Sequence, residues 1–270
     1  MDGVAYPEEG NAVCFAVEDS SWWFQHRNRV IVEALRRFPP PGAFFDIGGG
    51  NGCVARAIQD AGYDVVLVEP GMIGVQNALG RGIHNVIRAT LEDLDLRPET
   101  ISAAGLFDVL EHIQDDRSFV ERIHRMLTPG GCLYLTVPAY NLLWSHEDIV
   151  AGHFRRHTLG RLQRLLKEAG YAIEFASYFF SFLPVPIFLG RVLPYRFGFG
   201  SPTVSQDSVR SSHTLRSGLT SRTIDRLCRA ELSRLENLRP LHYGASCLVV
   251  ARKSIAGPSY RGPLESQCLG

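Results

Sequence analysis

A doubly wound, mostly parallel α/β sheet is the fold the sequence predicts, on three observations. Short apolar runs alternate with helical segments through residues 43–178. Each run is too apolar for a sheet with one wet face, which implies helices packed on both faces. A glycine-rich turn joins the first run to the first helix, where open α/β sheets place their ligands.

The elements follow in order. Residues 1–21 lack periodicity and are expected to form a mobile leader. Residues 22–37 read as an amphipathic helix with Phe24, Val30, Ile31, Ala34 and Leu35 near one side, ended by Pro39, Pro40, Pro41 and Gly42. Strand 43–47, helix 51–62, strand 64–69, helix 71–80 and strands 85–89 and 102–109 come next. A helix over 115–127 buries Phe119, Val120, Ile123 and Leu127, and Thr128-Pro129-Gly130-Gly131 is expected to close it. Strand 132–138, helix 158–169 and strand 171–178 complete the alternation. Beyond 179 an apolar, proline-rich segment leads into residues 199–221, rich in serine, threonine and glycine, which read as a flexible loop. A helix over 221–237 and a strand over 245–252 follow. The chain therefore divides into a leader and lid helix (1–42), a binding core (43–178), an insert or cap with the final strand (179–252) and a disordered tail (253–270).

Composition narrows the function. The chain of 270 residues carries 28 basic and 28 acidic residues, so no basic excess points to nucleic acid. Residues 187–240 depart from that balance, with nine arginines against four acidic residues. Six cysteines show no CxxC pair and no metal-ligand spacing, and read as free thiols of a reducing compartment. No signal peptide is visible, and the most apolar stretch, 178–195, is broken by Pro184, Pro186, Arg191 and Pro194. The expected location is the cytoplasm.

The strongest motif is Asp46-Ile47-Gly48-Gly49-Gly50-Asn51-Gly52 at the first strand-to-helix turn. Glycine lets the backbone turn tightly and lets a ligand approach the main chain. A dinucleotide fingerprint needs its third glycine at position 53, which is Cys53, and no Gly-Lys-Ser/Thr follows to make a P-loop. The second strand ends in Glu69, whose carboxylate can accept both hydroxyls of a ribose. The pattern suits a nucleoside without a pyrophosphate.

With those residues in place, the ordered set FDIGGGNG, VVLVE, LEDL, FDVLEHI and LTPGGCLYLTVP resembles the class I S-adenosylmethionine-dependent methyltransferases. WWFQHRNR near the start and VPAYNLLWSHED…GHFRRHT resemble a bacterial subgroup related to the ubiquinone-biosynthesis methyltransferases. The resemblance implies a seven-stranded Rossmann-like sheet whose last strand is antiparallel and preceded by an insert. It also implies S-adenosyl-L-methionine as cofactor. Gly48, Gly50 and Gly52 would bring backbone against its methionine and ribose parts, Asp46 would orient the amino group, and Glu69 would hold the ribose. Thr90 and Leu91 would flank adenine, although many relatives carry Asp at the position of Thr90. Arg27, on a lid helix, and Phe107 complete the expected cofactor site.

Other residues carry two readings each. His112 is either a proton acceptor near the transferred methyl or a cap that shapes its loop. Asp108, Glu111 and His112 match the place where some relatives bind a divalent metal, but no metal is expected here. Tyr140, Trp144, Ser145, His146, Asp148, His153, Arg155 and Arg156 cluster after the fifth strand, as acceptor contacts or as a solvated helix face. Among them Tyr140, Trp144, His146 and Arg155 are the expected substrate contacts. His153 is the expected base, and Arg155 and Arg156 could clamp an anion. Residues 179–197 read as a substrate cap, a peripheral membrane contact or plain packing. The expected activity is methyl transfer to a small-molecule oxygen or nitrogen, with a lipid-linked or anionic acceptor in view and no nucleic acid. Against it stand a non-catalytic binder of the same cofactor, acting as regulator or partner, and a nicotinamide-dependent oxidoreductase.

Overall fold

The computed structural model describes residues 14–94, 96–198 and 219–254. In chain order these form α1 (Trp22–Arg37), β1 (Phe44–Ile47), α2 (Cys53–Asp60), β2 (Val65–Val68), α3 (Met72–Gly80), β3 (Asn85–Ile87) and β4 (Ile101–Phe107). After them come α4 (Asp116–Met126), β5 (Leu127–Pro138), α5 (His146–Val150), α6 (Leu159–Glu168), β6 (Tyr171–Phe179), α7 (Leu219–Glu236) and β7 (Ser246–Lys253). The seven strands form one sheet in the order β3-β2-β1-β4-β5-β7-β6. β1 to β5 run parallel and β7 inserts antiparallel between β5 and β6. Strand order reverses at β1, flanked by β2 and β4, and the crevice at the carboxyl ends there is where such sheets bind ligands.

Alternating strand residues feed two cores, one on each face of the sheet. Phe44, Leu67, Tyr134 and Val250 pack with α1 and α2, while Ile47, Leu106, Leu135 and Val249 pack with α4 and α6. α1 starts where the Ser21 side chain accepts from the Trp23 and Phe24 amides. Its buried face includes Val30, Ile31 and Leu35, as periodicity predicts.

Four expectations change. Part of the leader is built into the fold: residues 14–18 are helical and Glu18 is buried, bonded to Asn51 and Arg81. Thr128-Pro129-Gly130-Gly131 does not lie outside the sheet. β5 begins at Leu127, which pairs with Ile101 before a register shift lets Cys132 pair with Ala103. The proline-rich insert is helical over Pro184–Ile187, Phe188–Val192 and Leu193–Arg196. The three pieces form one continuous helical run in which Pro184 and Pro186 fall in the first turn, where a missing N–H costs no helical bond, and Pro194 directly follows the π-helical turn Phe188–Val192. The last strand extends to Lys253, one residue into the expected tail. The loop expected over 199–221 falls mostly, and the tail over 253–270 almost wholly, outside the described residues.

One buried carboxylate joins the insert to α1. Glu231 of α7 accepts from His26 of α1 at 2.8 Å, from the Phe180 and Ser181 amides at 2.6 and 2.8 Å, and from the Ser181 hydroxyl at 2.8 Å. These hydrogen bonds, with the charge partner His26, outweigh the burial that would raise its pKa and pull it below the usual range. Phe180, held at φ +56°, stacks on Trp23 at 5.2 Å, so α1 and the insert are packed together.

Candidate functional site

The carboxyl ends of β1, β2, β4 and β5 open into a cavity of about 700 Å³, walled also by α1 and the helical insert. That volume lies within the range of sites for small molecules and cofactors. Its floor is the glycine turn. Gly48 has φ +73° and a Cβ there would meet Val109 at 2.9 Å, so a side chain would be both strained and crowded. Gly50 also turns through positive φ, and Gly52 in the left-handed region caps α2.

Asp46 sits under this turn, 1% exposed, and its Oδ2 has no hydrogen-bond partner. Burial raises its pKa to about 7, against the opposing pull of Arg27. A buried, unpartnered acceptor facing a cavity is the kind of group a cationic ligand satisfies. Glu69, at the end of β2, accepts from the Gly50 and Gly71 amides at 2.9 and 2.8 Å. Burial nonetheless leaves its pKa raised. Two amides accepted leave lone pairs for two ribose hydroxyls. An orphaned Asp46 oxygen, a cradle closed to Cβ atoms and a carboxylate at the β2 end therefore fit S-adenosyl-L-methionine.

α1 covers this half. Arg27 is buried beside the rings of Trp23 and Phe24, and its Nη1 donates to Asp108 at 2.6 Å. Asp108 itself stands at φ +58° at the end of β4, where Phe107 also lines the cavity. Glu18 and Asn51 close the other side: Glu18 accepts from Asn51 at 3.2 Å and from Arg81 at 2.6 Å, and Arg81 also donates to the Asn51 carbonyl.

The far half is built around Asp148 of α5. This carboxylate is 1% exposed and accepts from His153 Nδ1 at 2.8 Å, from Arg156 through Nε and Nη2 at 2.7 and 3.0 Å, and from the Ser145 amide at 2.9 Å. Burial alone would raise its pKa, but the bonds from His153 and Arg156 outweigh it and hold Asp148 below the usual carboxylate range. An ionised Asp148 can only accept, so Nδ1 of His153 carries a hydrogen, and in the neutral ring Nε2 is then the acceptor. The His112 ring meets His153 edge to face at 4.7 Å. Burial, with the neighbouring His153, lowers the His112 pKa to about 4 and keeps that ring neutral. Burial and Asp108 together push Glu111 well above its ordinary value, and its Oε2 is without a partner. Glu111, His112 and His153 each bring one ligand-type atom within 4.8 Å of the others, close enough to contact one guest atom, an acceptor oxygen or a cation alike. Asp108 departs from the set grouped with Glu111 and His112, because Arg27 holds it.

The cavity thus brings together Arg27, Asp46, Gly48, Gly50, Glu69, Phe107, His112 and His153. It leaves other expected residues apart. Thr90 bonds Asp93 in an exposed turn, and Leu91 is buried in the core. Tyr140 stacks on Tyr178 at 5.0 Å. Trp144 closes a short 3-10 turn and His146 opens α5, neither on the cavity wall. Arg155 pairs with Asp116 at 2.7 Å and the Gln114 carbonyl, so it does not present an anion clamp to the cavity. Arg156 lines the cavity but is bidentate to Asp148. Sequence reasoning missed Glu18, which no pattern marks; of the segment read as a substrate cap, a membrane contact or plain packing, Leu183, Ile187 and Arg191 stand on the cavity wall. Arg191 pairs with Glu147.

Comparison with known proteins agrees with this geometry. Residues 23–174 match a family model described as a methyltransferase domain. A "Probable S-adenosylmethionine-dependent methyltransferase" of Mycolicibacterium smegmatis is 25% identical over 173 residues, 63% of this chain and 67% of that protein. A ubiquinone biosynthesis O-methyltransferase of Xylella fastidiosa is 30% identical over 138 residues, 45% of this chain and just 56% of its own length. The solved structure of a Thermotoga maritima S-adenosylmethionine-dependent methyltransferase superimposes with a TM-score of 0.55 at 16% identity, covering 91% of this chain and 96% of that one. At that identity the likeness concerns the fold.

Proposed function

This chain belongs to the methyltransferase-domain family, among the class I S-adenosylmethionine-dependent enzymes related to ubiquinone-biosynthesis methyltransferases; from that premise we propose that it methylates a hydroxyl oxygen of an uncharged small-molecule acceptor. One observation carries the choice of oxygen: a histidine oriented by a buried carboxylate, with its free nitrogen in the half of the cavity away from the glycine turn.

When bound, S-adenosyl-L-methionine supplies a methyl group already activated by its sulfonium for in-line displacement. Asp46 would hold the amino group and Glu69 the ribose hydroxyls, while Arg27, positioned by Asp108, has further N–H groups to offer a carboxylate. Trp23 and Phe24 exclude water from above. His153 Nε2 would take the hydroxyl proton as the oxygen gains the methyl and S-adenosylhomocysteine forms. Asp148 then faces the imidazolium. His112, neutral at working pH, and Glu111, whose pKa burial and Asp108 push well above its ordinary range, stand close enough to His153 to hydrogen-bond the same acceptor oxygen. In the half of the cavity away from the glycine turn, Arg156 and Arg191 are already paired with Asp148 and Glu147. A neutral acceptor therefore suits the cavity better than an anionic one.

The test is product analysis: the chain is incubated with methyl-labelled S-adenosyl-L-methionine and a panel of matched alcohols, phenols and amines. Labelled methyl ethers are expected. Label found exclusively in N-methyl products would contradict the assignment of oxygen.

A further inference from the structure

Glu231 is a buried ionisable group that the proposed chemistry does not use. It is 3% exposed in α7, does not line the cavity, and accepts four hydrogen bonds from two other parts of the chain. A buried carboxylate is a poor device for stability alone, since desolvation offsets most of what its bonds return and apolar packing of similar volume does as well. What distinguishes Glu231 is where its donors stand.

On one side is α1. His26, 1% exposed, meets Glu231 through Nε2 at 2.8 Å, and the next residue is Arg27, whose Nη1 reaches Asp108 at 2.6 Å. Trp22, Trp23 and Phe24 of the same stretch also line the cavity. On the other side is the corner where β6 ends and the insert begins. Phe180 stands there at φ +56°, a costly conformation for a bulky residue. It is held by its amide on Glu231 and by its carbonyl, which accepts from the Leu183 and Ala245 amides at 3.0 and 3.2 Å. Ser181 puts both its amide and its hydroxyl on the same carboxylate. Leu183 then opens an inner face that continues through Pro186, Ile187, Gly190 and Arg191 at helical spacing, all on the cavity wall. One carboxylate thus fixes the helix over the cofactor half against the wall of the acceptor half.

We propose that Glu231 is a positioning residue for the methyl donor: from outside the cavity it holds α1 and the insert in the arrangement that presents Arg27 to the donor's carboxylate. It acts through Arg27, because His26 and Arg27 are consecutive residues of one helical turn and cannot shift separately. The inference rests on the cofactor reading of the cavity and is independent of the acceptor's identity.

Calorimetry of the full chain with S-adenosylhomocysteine tests it. Glu231→Gln keeps the shape and one acceptor oxygen, but its NH2 group then faces two of the four donors. Affinity is expected to fall on the order of tenfold. His26→Ala, which cuts only the link to α1, should lose a similar factor. His26→Gln, whose amide N–H extends about as far as Nε2, should regain most of it. Two comparisons separate positioning from loss of stability. Leu166→Ala leaves a hole in the core on the other face of the sheet, and with an equal or larger fall in Tm it should still bind as wild type does. Arg27→Ala should lose affinity by itself, and adding Glu231→Gln should change it by no more than about twofold, since the group to be positioned is gone. Undiminished affinity in Glu231→Gln, no rescue by His26→Gln, an equal loss in Leu166→Ala, or losses that multiply in the double variant would each overturn the proposal. Wild type that binds no S-adenosylhomocysteine would overturn the cofactor reading, and the proposal with it.

Discussion

Replacing Asp46 by asparagine is expected to weaken S-adenosylhomocysteine binding by roughly 10- to 100-fold, the range of one charge-assisted hydrogen bond. The same side chain sets a pH dependence. Burial raises Asp46 to about 7, so near pH 6 most molecules carry a neutral carboxyl there and near pH 8 most carry a carboxylate. The ligand's ammonium group binds the carboxylate form. Affinity should therefore be highest above pH 7 and fall, approaching tenfold per unit, as pH drops below it. Asp46→Asn should abolish that slope, since asparagine does not titrate. Calorimetric titrations of both proteins between pH 6 and 8 would show it. A wild-type affinity that stays flat would mean that Asp46 is not the group that meets the ammonium.

The second large effect concerns proton transfer. His153→Ala should lower turnover of a hydroxyl acceptor by 10²- to 10⁴-fold, the usual contribution of a positioned base, while affinity for S-adenosylhomocysteine changes little. Asp148→Asn should fall between that variant and wild type. An asparagine amide can still accept from Nδ1, but it stabilises the imidazolium less and releases Arg156 from a bidentate pair. His112, held near 4, is neutral throughout the range of such assays and should add no inflection to the rate profile above pH 5. Turnover of His153→Ala within tenfold of wild type would assign the proton elsewhere.

The sheet was readable from sequence because its strands are short, apolar and separated by strong stop signals. Gly62, Pro39 and the glycine turn fall where the elements change. Periodicity failed where one residue type serves two purposes. Thr128-Pro129-Gly130-Gly131 reads as a helix terminator, yet Leu127 before it already pairs with Ile101, so the tight turn lies inside a bulged strand. Three prolines made the insert look irregular, but Pro184 and Pro186 fall in the first helical turn and Pro194 follows the π-helical turn Phe188–Val192.

The cofactor half of the cavity was legible for a related reason. Gly48, Asp46 and Glu69 stand at fixed offsets around strand ends, so their spacing already put them on the wall of one crevice. The acceptor half depends on which side chains of a dense polar loop turn inward. Sequence puts Arg155 and Arg156 side by side, but Arg155 reaches out to Asp116 while Arg156 reaches in to Asp148. Nothing in the order of residues distinguishes them. Glu18 was invisible because its partners, Asn51 and Arg81, are 33 and 63 residues away and its own segment has no apolar rhythm.

Calorimetry of the full chain with S-adenosyl-L-methionine, S-adenosylhomocysteine and NADH, alongside Glu69→Ala, tests the central claim most directly. The first two ligands should bind wild type with micromolar affinity and NADH should not, because Cys53 stands where a dinucleotide site needs its third glycine. Glu69→Ala should lose most of that binding with the ribose hydroxyls left unheld. Tight binding of NADH in place of the other two, or binding of them that is indifferent to Glu69, would contradict the account.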